Sequence, residues 1–429
     1  MPSGPPTGRH RHGGRGGAAG RRYDAAQMVT VAWVTPFPPD RNGGGGQIRQ
    51  AHLLLGLAER ARIHLLCPGP VEDPAVRAAV AELTEVAAPG TARRDEHPWL
   101  RRAADLLATA RSAQSLEVRA FAPYRRALAP ALGRLAADVV LVEYMGLAPL
   151  LPADRASPWL LTFHNLPSRM ASHESQVAPH RRQRWLLRRD ALVALRSEQA
   201  AAAAFDAVIA CTTADASCLA PVDSTIVPNG VDTARFPPSG LPSEPRVVFT
   251  GALYTAPNAD GARWLCREVL PRVRQQVPRA TVDLVGARPT DEVRALGDLP
   301  GVNLHPDVPD IAPFLAAGRV AVVPLRIGSG SRLKALEAMA ACRPVVGTSI
   351  GLEGLDLVDG REALVADGAE AFAAAVVRVL GDDAVADALA RAGRAAAQER
   401  FEWSAIAVAF SDTVLAVAAR AGNPGDPPR

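Results

Sequence analysis

The feature that narrows the fold most is an alternation, met twice, of short apolar runs with longer segments of helical pattern. The first series has apolar runs at 29–35, 63–67, 138–142, 159–163, 205–210 and 224–227. The second has them at 246–251, 281–286, 302–305, 320–325, 344–347 and 363–366. Short β-branched runs separated by helix-length segments call for parallel strands with helices on both faces. A Pro/Gly/Ser cluster at 237–243 separates the two series and is the best domain boundary. The expected fold is therefore α/β, with two Rossmann-like domains facing a cleft, the usual place for a ligand.

This divides the chain into a disordered basic tail (1–27), an N-terminal domain (28–232), a linker (233–245) and a C-terminal domain (246–397). For the helix over 398–420, packing back on the N-terminal domain is one open arrangement. Residues 74–135 read as mostly helical. The 429 residues suffice for two or three domains. A net charge of +4 is mild, and much of the positive excess lies in the tail, so it speaks weakly for nucleic acid. Five scattered cysteines without CxxC spacing argue against a disulfide framework or zinc site and suit a reducing compartment. No run of about 18 uncharged apolar residues is found, so no transmembrane helix is expected.

Two glycine-rich turns follow strands and open helices. The stretch from Gly328 to Met339 reads GSGSRLKALEAM. Unpaired N–H groups and the dipole at such a helix start favour an anion. Arg332 and Lys334 sit where cations oppose the dipole, which makes better sense if a phosphate binds there. Glu337 lies three residues beyond Lys334, on the same face, and offers a carboxylate to sugar hydroxyls. The plain alternative is a surface Lys–Glu pair after an ordinary turn. In the N-terminal domain, Gly43–Gly46 precedes the helix that carries Arg49. The dinucleotide fingerprint fails here, because the sixth residue counted from Gly43 is Ile48. Gly44, Gly45 and Gly46 still allow close approach by a phosphate or sugar, with Arg49 placed to help; a flexible surface loop is the alternative. Glu143 and His164 fall at the carboxyl ends of adjacent strands. The segment 181–196 interleaves six arginines with Trp and Leu, which suits either an anionic membrane surface or an ordinary solvated helix.

Taken together, these pieces resemble the glycosyl transferase group 1 family of retaining glycosyltransferases, with its two-domain GT-B fold. The resemblance runs from about Val29 to Trp403. It is carried by Pro228-Asn229-Gly230-Val231-Asp232, Val248-Phe249-Thr250-Gly251, Leu284-Val285-Gly286, the 328–340 stretch and Pro344-Val345-Val346-Gly347-Thr348. Thr162-Phe163-His164-Asn165 and the first glycine loop add to it. The resemblance implies transfer of a sugar from a nucleoside-diphosphate-sugar co-substrate, without a metal or other cofactor and with retention of configuration. The acceptor would be a saccharide, a lipid or a small molecule. It implies a donor site of Gly251, Arg288, Gly328, Ser329, Gly330, Ser331, Arg332, Lys334 and Glu337, with Glu337 at the ribose. His164 would be the catalytic histidine beside the donor sugar, and Asn258, Asp310 and Glu143 would line the cleft. The localisation it suits is cytoplasmic, with peripheral contact at the inner membrane face as an open addition; oligomeric state is not legible.

Two departures stand out. Many members have two glutamates seven residues apart, and counting back from Glu337 gives Ser329. The usual Arg and Lys after Gly251 are absent from Thr250–Asn258, so Arg332 and Lys334 are expected to supply the charge for the diphosphate. Two rivals stay open: a nucleotide-sugar epimerase or hydrolase, and a non-catalytic nucleotide-sugar-binding protein.

Overall fold

The computed structural model describes residues 28–86, 118, 120–330 and 332–421. The expected basic tail and Ser331 lie outside these residues. Two parallel sheets account for the two series of apolar runs. The first contains β1 (Thr30–Val34), β2 (Arg62–Cys67), β3 (Glu82–Glu85), β4 (Val139–Glu143), β5 (Trp159–Phe163), β6 (Ala207–Ala210) and β7 (Thr225–Ile226). The second contains β8 (Arg246–Thr250), β9 (Thr281–Gly286), β10 (Val302–Pro306), β11 (Val320–Val323), β12 (Val345–Gly347) and β13 (Leu364–Val365). Their orders are β3-β2-β1-β4-β5-β6-β7 and β10-β9-β8-β11-β12-β13. Strand β3 corrects the helical reading of 74–135: Leu83 pairs with Leu65 at the sheet edge. A four-residue edge strand carrying two glutamates has too little apolar alternation to stand out.

Each sheet has the doubly wound order and reverses direction once, between β1 and β4 and between β8 and β11. Ligands bind outside the carboxyl ends of strands at such switch points. Both glycine turns sit there: β1 leads to the first, and β11 leads through Leu325 to the second. The helices that follow are α1 (Gly45–Ala58) and, in the second domain, Leu333–Ala340.

The fully buried strands β4, β5 and β11 have no alternation, as expected when helices cover both faces. One core fills the second domain. The first sheet has a core on each face, and one of these includes Trp403, Ile406, Phe410 and Val414 from the final helix, Trp403–Ala421. That helix packs on α1, with Phe410 tilted against Trp33 at 5.6 Å. It is apolar and long enough to cross a membrane by composition, yet its inward side is committed to this core. The chain thus passes between the domains twice. The two passages touch, since Val231 N–H donates to Phe401 O (2.7 Å) and Trp403 N–H to Val231 O (3.2 Å).

Candidate functional site

The turn after β11 is built against the opposite domain. Gly330 has φ +73°, the left-handed region, and a Cβ there would collide with the carbonyl of His164. Three N-domain residues grip the turn through four hydrogen bonds. Leu166 N–H donates to Ser329 Oγ (2.7 Å), and Ser329 Oγ donates to Asp215 Oδ1 (2.7 Å). Gly330 N–H donates to Asp215 Oδ2 (3.0 Å), and His173 Nδ1–H donates to Gly328 O (2.7 Å). Arg169 pairs with Asp215 (2.8 Å) and with Glu353 of the second domain (2.5 Å). Asp215 is 1% exposed. A carboxylate held by an N–H, a hydroxyl and a guanidinium is the strong, charge-assisted kind of contact. Sequence reasoning did not single out Asp215, Arg169 or His173. Each lies in a helical segment without a motif of its own, and only the fold brings them to 328–330.

Arg332 does not face the cleft as a free cation. It is buried, donating through Nε (3.2 Å) and Nη2 (3.1 Å) to Ile350 O and through Nη1 to Ser329 O. Burial pushes its pKa down to about 10, against the pull of Glu353 and Asp215. Its donors hold the turn together, which departs from the expectation that it supplies charge to a diphosphate.

Lys334 is placed differently. It stands in the first turn of Leu333–Ala340, with its Nζ 2.5 Å from Asn258 Oδ1 and 4.4 Å from the centre of the Phe249 ring. A Cβ on Gly251 would lie 2.6 Å from this Nζ, so the ammonium sits against the turn after β8. Among the described residues no ion pair engages it. Burial lowers its pKa from 10.5 to about 7, with Arg332 adding to the effect and Glu337 opposing it. The Glu337 carboxyl is pushed up by burial, against the pull of Arg235 and Lys334. Lys334, Asn258, Gly251 and Glu337 thus come together at the second switch point.

Other expected donor residues lie at the rim. Arg288 has φ +48° and lies over the Tyr254 ring at 3.9 Å, while its N–H donates to Asp307 (2.7 Å). An arginine–tyrosine stack on the strand-end turns is a flat cation–π shelf of the size of a base. Asp310 pairs with Arg235 (3.5 Å) and caps Ala312 N–H (3.1 Å).

In the N-terminal domain, Glu143 ends β4 and is 1% exposed. Its Oε2 accepts from His164 Nε2 (2.5 Å) and from Thr162 Oγ1. Among the described residues, its Oε1 is buried without a hydrogen-bond partner. The His164 ring stacks on Tyr144 with centroids 4.1 Å apart. Tyr144 itself has φ +70°, a strained conformation for an aromatic residue, at the switch point. Burial lowers the His164 pKa, against the pull of Glu143. Gly46 lies over this stack: a Cβ there would collide with Tyr144 Oη and lie 3.7 Å from His164 Nδ1. The first glycine loop therefore meets the Glu143–His164 pair. Gly44 and Gly45 are exposed, and a Cβ on Gly45 would lie 3.0 Å from Leu333 of the second domain.

Arg49 does not face this loop. It is 1% exposed and donates to Val227 O (2.8 Å), Pro228 O (2.8 Å) and Asn229 Oδ1 (3.0 Å). It fastens the chain where it leaves the first domain, a correction to its expected role beside a phosphate. It lies about one turn into α1, among the buried residues of that helix and away from the mouth.

Residues 244–382 match the family described as Glycosyl transferases group 1. The match lies within the C-terminal domain and spans about a third of the chain. Glycogen synthase of Mycobacterium tuberculosis (strain H37Rv) is 30% identical over 206 residues, covering 45% of this chain and 48% of the relative. The chain thus spans about half the length of the curated relatives it matches. Sucrose-phosphate synthase from Thermosynechococcus elongatus superposes with a TM-score of 0.69 at 20% identity, covering 91% of this chain and all (100%) of that one. HepE from Anabaena, in complex with UDP and glucose, superposes with a TM-score of 0.61 at 14% identity, over 90% and 100%. These likenesses establish the GT-B arrangement of the two sheets.

Proposed function

We propose that this protein is a glycosyltransferase that moves a sugar from a nucleoside-diphosphate-sugar to an acceptor with retention of anomeric configuration. The observation that carries the reading is Lys334: a half-buried ammonium at a helix start, held by an amide and a ring, in a domain that matches the group 1 family. A desolvated cation without a paired counter-charge is costly unless an anion joins it. The diphosphate of the donor is that anion. Glu337, on the same face, takes the ribose hydroxyls, and the Arg288–Tyr254 shelf takes the base.

In this reading the C1–O bond to the diphosphate breaks as the acceptor oxygen bonds to C1 on the same face, and the acceptor proton passes to the leaving phosphate oxygen. The charge developing on the diphosphate is met by Lys334 and by the helix-start N–H groups, so the reading requires no metal. Glu143 holds His164 by Nε2, which leaves Nδ1 turned toward Gly46 and the acceptor loop. His164 orients the sugar or the acceptor from there. The bound UDP and glucose of HepE support a nucleotide-sugar donor.

Thermal stabilisation against a panel of nucleoside diphosphates and nucleotide-sugars tests the reading. A ligand at about a hundred times its Kd adds roughly 2.7 kcal/mol. Stabilisation by none of the panel sinks the proposal. Stabilisation with no transfer to any acceptor, but release of free diphosphate, favours the hydrolase instead.

A further inference from the structure

The helix hairpin that grips the donor turn also carries an outward face that the transfer reading leaves without a use. Its first helix, α2 (Pro167–Val177), supplies Arg169 and His173 to the grip; its second, α3 (Arg181–Ala204), packs along it. On α3, Trp185 is 64% exposed and Leu192 59% exposed. Seven residues apart at about 100° per residue, the two lie on one line along the helix. Arg181, Arg182, Arg188, Arg189 and Arg196 all fall within about 60° of Trp185 by the same geometry. The only acidic residues of α3, Asp190 and Glu198, fall more than about 130° away. Glu198 is fully buried, where it accepts from Ser168 N–H (2.8 Å). Arg184 belongs to neither group, since its guanidinium closes the helix start on Ala178 O (2.9 Å).

An exposed tryptophan and leucine flanked on both sides by arginines, with every carboxylate turned inward, has the chemistry of a helix lying in an anionic lipid interface. The rings and aliphatic carbons enter the acyl boundary, while the guanidinium groups meet the phosphates. We propose that α3 docks the protein on an anionic bilayer, and that the acceptor is presented from that surface. The proposal rests on the transferase reading for the acceptor and stands without it for the docking. Because α2 ties α3 to the donor turn, docking fixes the cleft relative to the membrane and suits a lipid-linked acceptor.

Vesicle co-flotation of the full chain tests this. Vesicles of phosphatidylcholine alone are compared with vesicles carrying about 30 mol % phosphatidylglycerol. At least about tenfold tighter binding to the anionic vesicles is expected, weakening as salt rises. Both Trp185→Ala/Leu192→Ala and Arg188→Glu/Arg196→Glu should lose about tenfold or more, with unchanged thermal midpoint and unchanged nucleoside diphosphate binding in solution. Equal binding to neutral and anionic vesicles, or wild-type binding by both variants, overturns the proposal. So does a wild-type dimer that Trp185→Ala/Leu192→Ala dissociates, which would make the face an interface between copies. Nucleotide binding is measured without vesicles, so a failed donor site and a failed docking face give different results.

Discussion

The two glycine turns occupy equivalent places, each after the strand at a switch point and each opening a helix, yet they are built to opposite ends. The N-domain turn has exposed glycines, no charge in the first turn of α1, and an arginine that faces away into the linker. The C-domain turn is buried against the other domain, has its N–H and hydroxyl occupied by Asp215, and leaves one cation, Lys334, beside it. A Gly-rich helix start is thus only a permissive geometry. Charge placement decides whether the turn holds an anion, and an internal carboxylate can take the place a ligand was expected to fill.

The largest test of this contrast is stability. Asp215→Ala removes the buried carboxylate that the 328–330 turn bonds to, leaves Arg169 with Glu353 alone, and should cost about 3–5 kcal/mol in chemical denaturation. The matching change in the other turn, Gln47→Ala, removes the acceptor for Gly44 N–H (3.1 Å) and should cost only about 1 kcal/mol. Equal losses would break the comparison. Next is donor binding. Lys334→Met should weaken nucleoside diphosphate binding by about 10- to 150-fold, the worth of a charged hydrogen bond, while Gly44→Ala leaves it within about twofold. A nucleotide titration by calorimetry reads both.

The third prediction concerns pH. A bound diphosphate favours charged Lys334 and raises its pKa from about 7. Binding above pH 7 therefore takes up a proton, and affinity should fall by up to about tenfold per pH unit as pH rises. The ligand-free protein moves the other way. Unfolded Lys334 keeps its proton up to about 10.5 and folded Lys334 only to about 7, so this residue makes the fold more stable as pH rises through that window. Calorimetry in two buffers of different ionisation heat gives the proton count; zero uptake at pH 8 removes Lys334 from the diphosphate site. The smallest effect is at Gly46→Ala, whose new Cβ displaces Tyr144 from His164. Turnover should fall about tenfold with nucleotide affinity unchanged, and a change in affinity instead would place the loop on the donor.

The alternation of strands and helices was legible because buried parallel strands are apolar throughout, as in β4, β5 and β11. β3 was not, because an edge strand with Glu82 and Glu85 outward has little to bury. At the site, Lys334 and Glu337 could be placed by helix spacing alone, since i and i+3 share a face. Asp215 could not: its partners Ser329 and Gly330 are more than a hundred positions away, and nothing local in Thr213–Cys218 announces them. Arg332 and Arg49 were misplaced for one reason. An arginine beside a glycine turn looks the same in sequence whether it points at solvent or caps buried carbonyls.

The two passages between domains bond to each other through Val231, Phe401 and Trp403. A single flexible tether would let one domain swivel freely about the other. Two chain segments fastened side by side by an isolated bridge constrain such a swivel as a door hinge would, to one axis with little twist. Any opening and closing would then retrace one arc, and the grip of Arg169, His173 and Asp215 on the 328–330 turn would be remade in the same register.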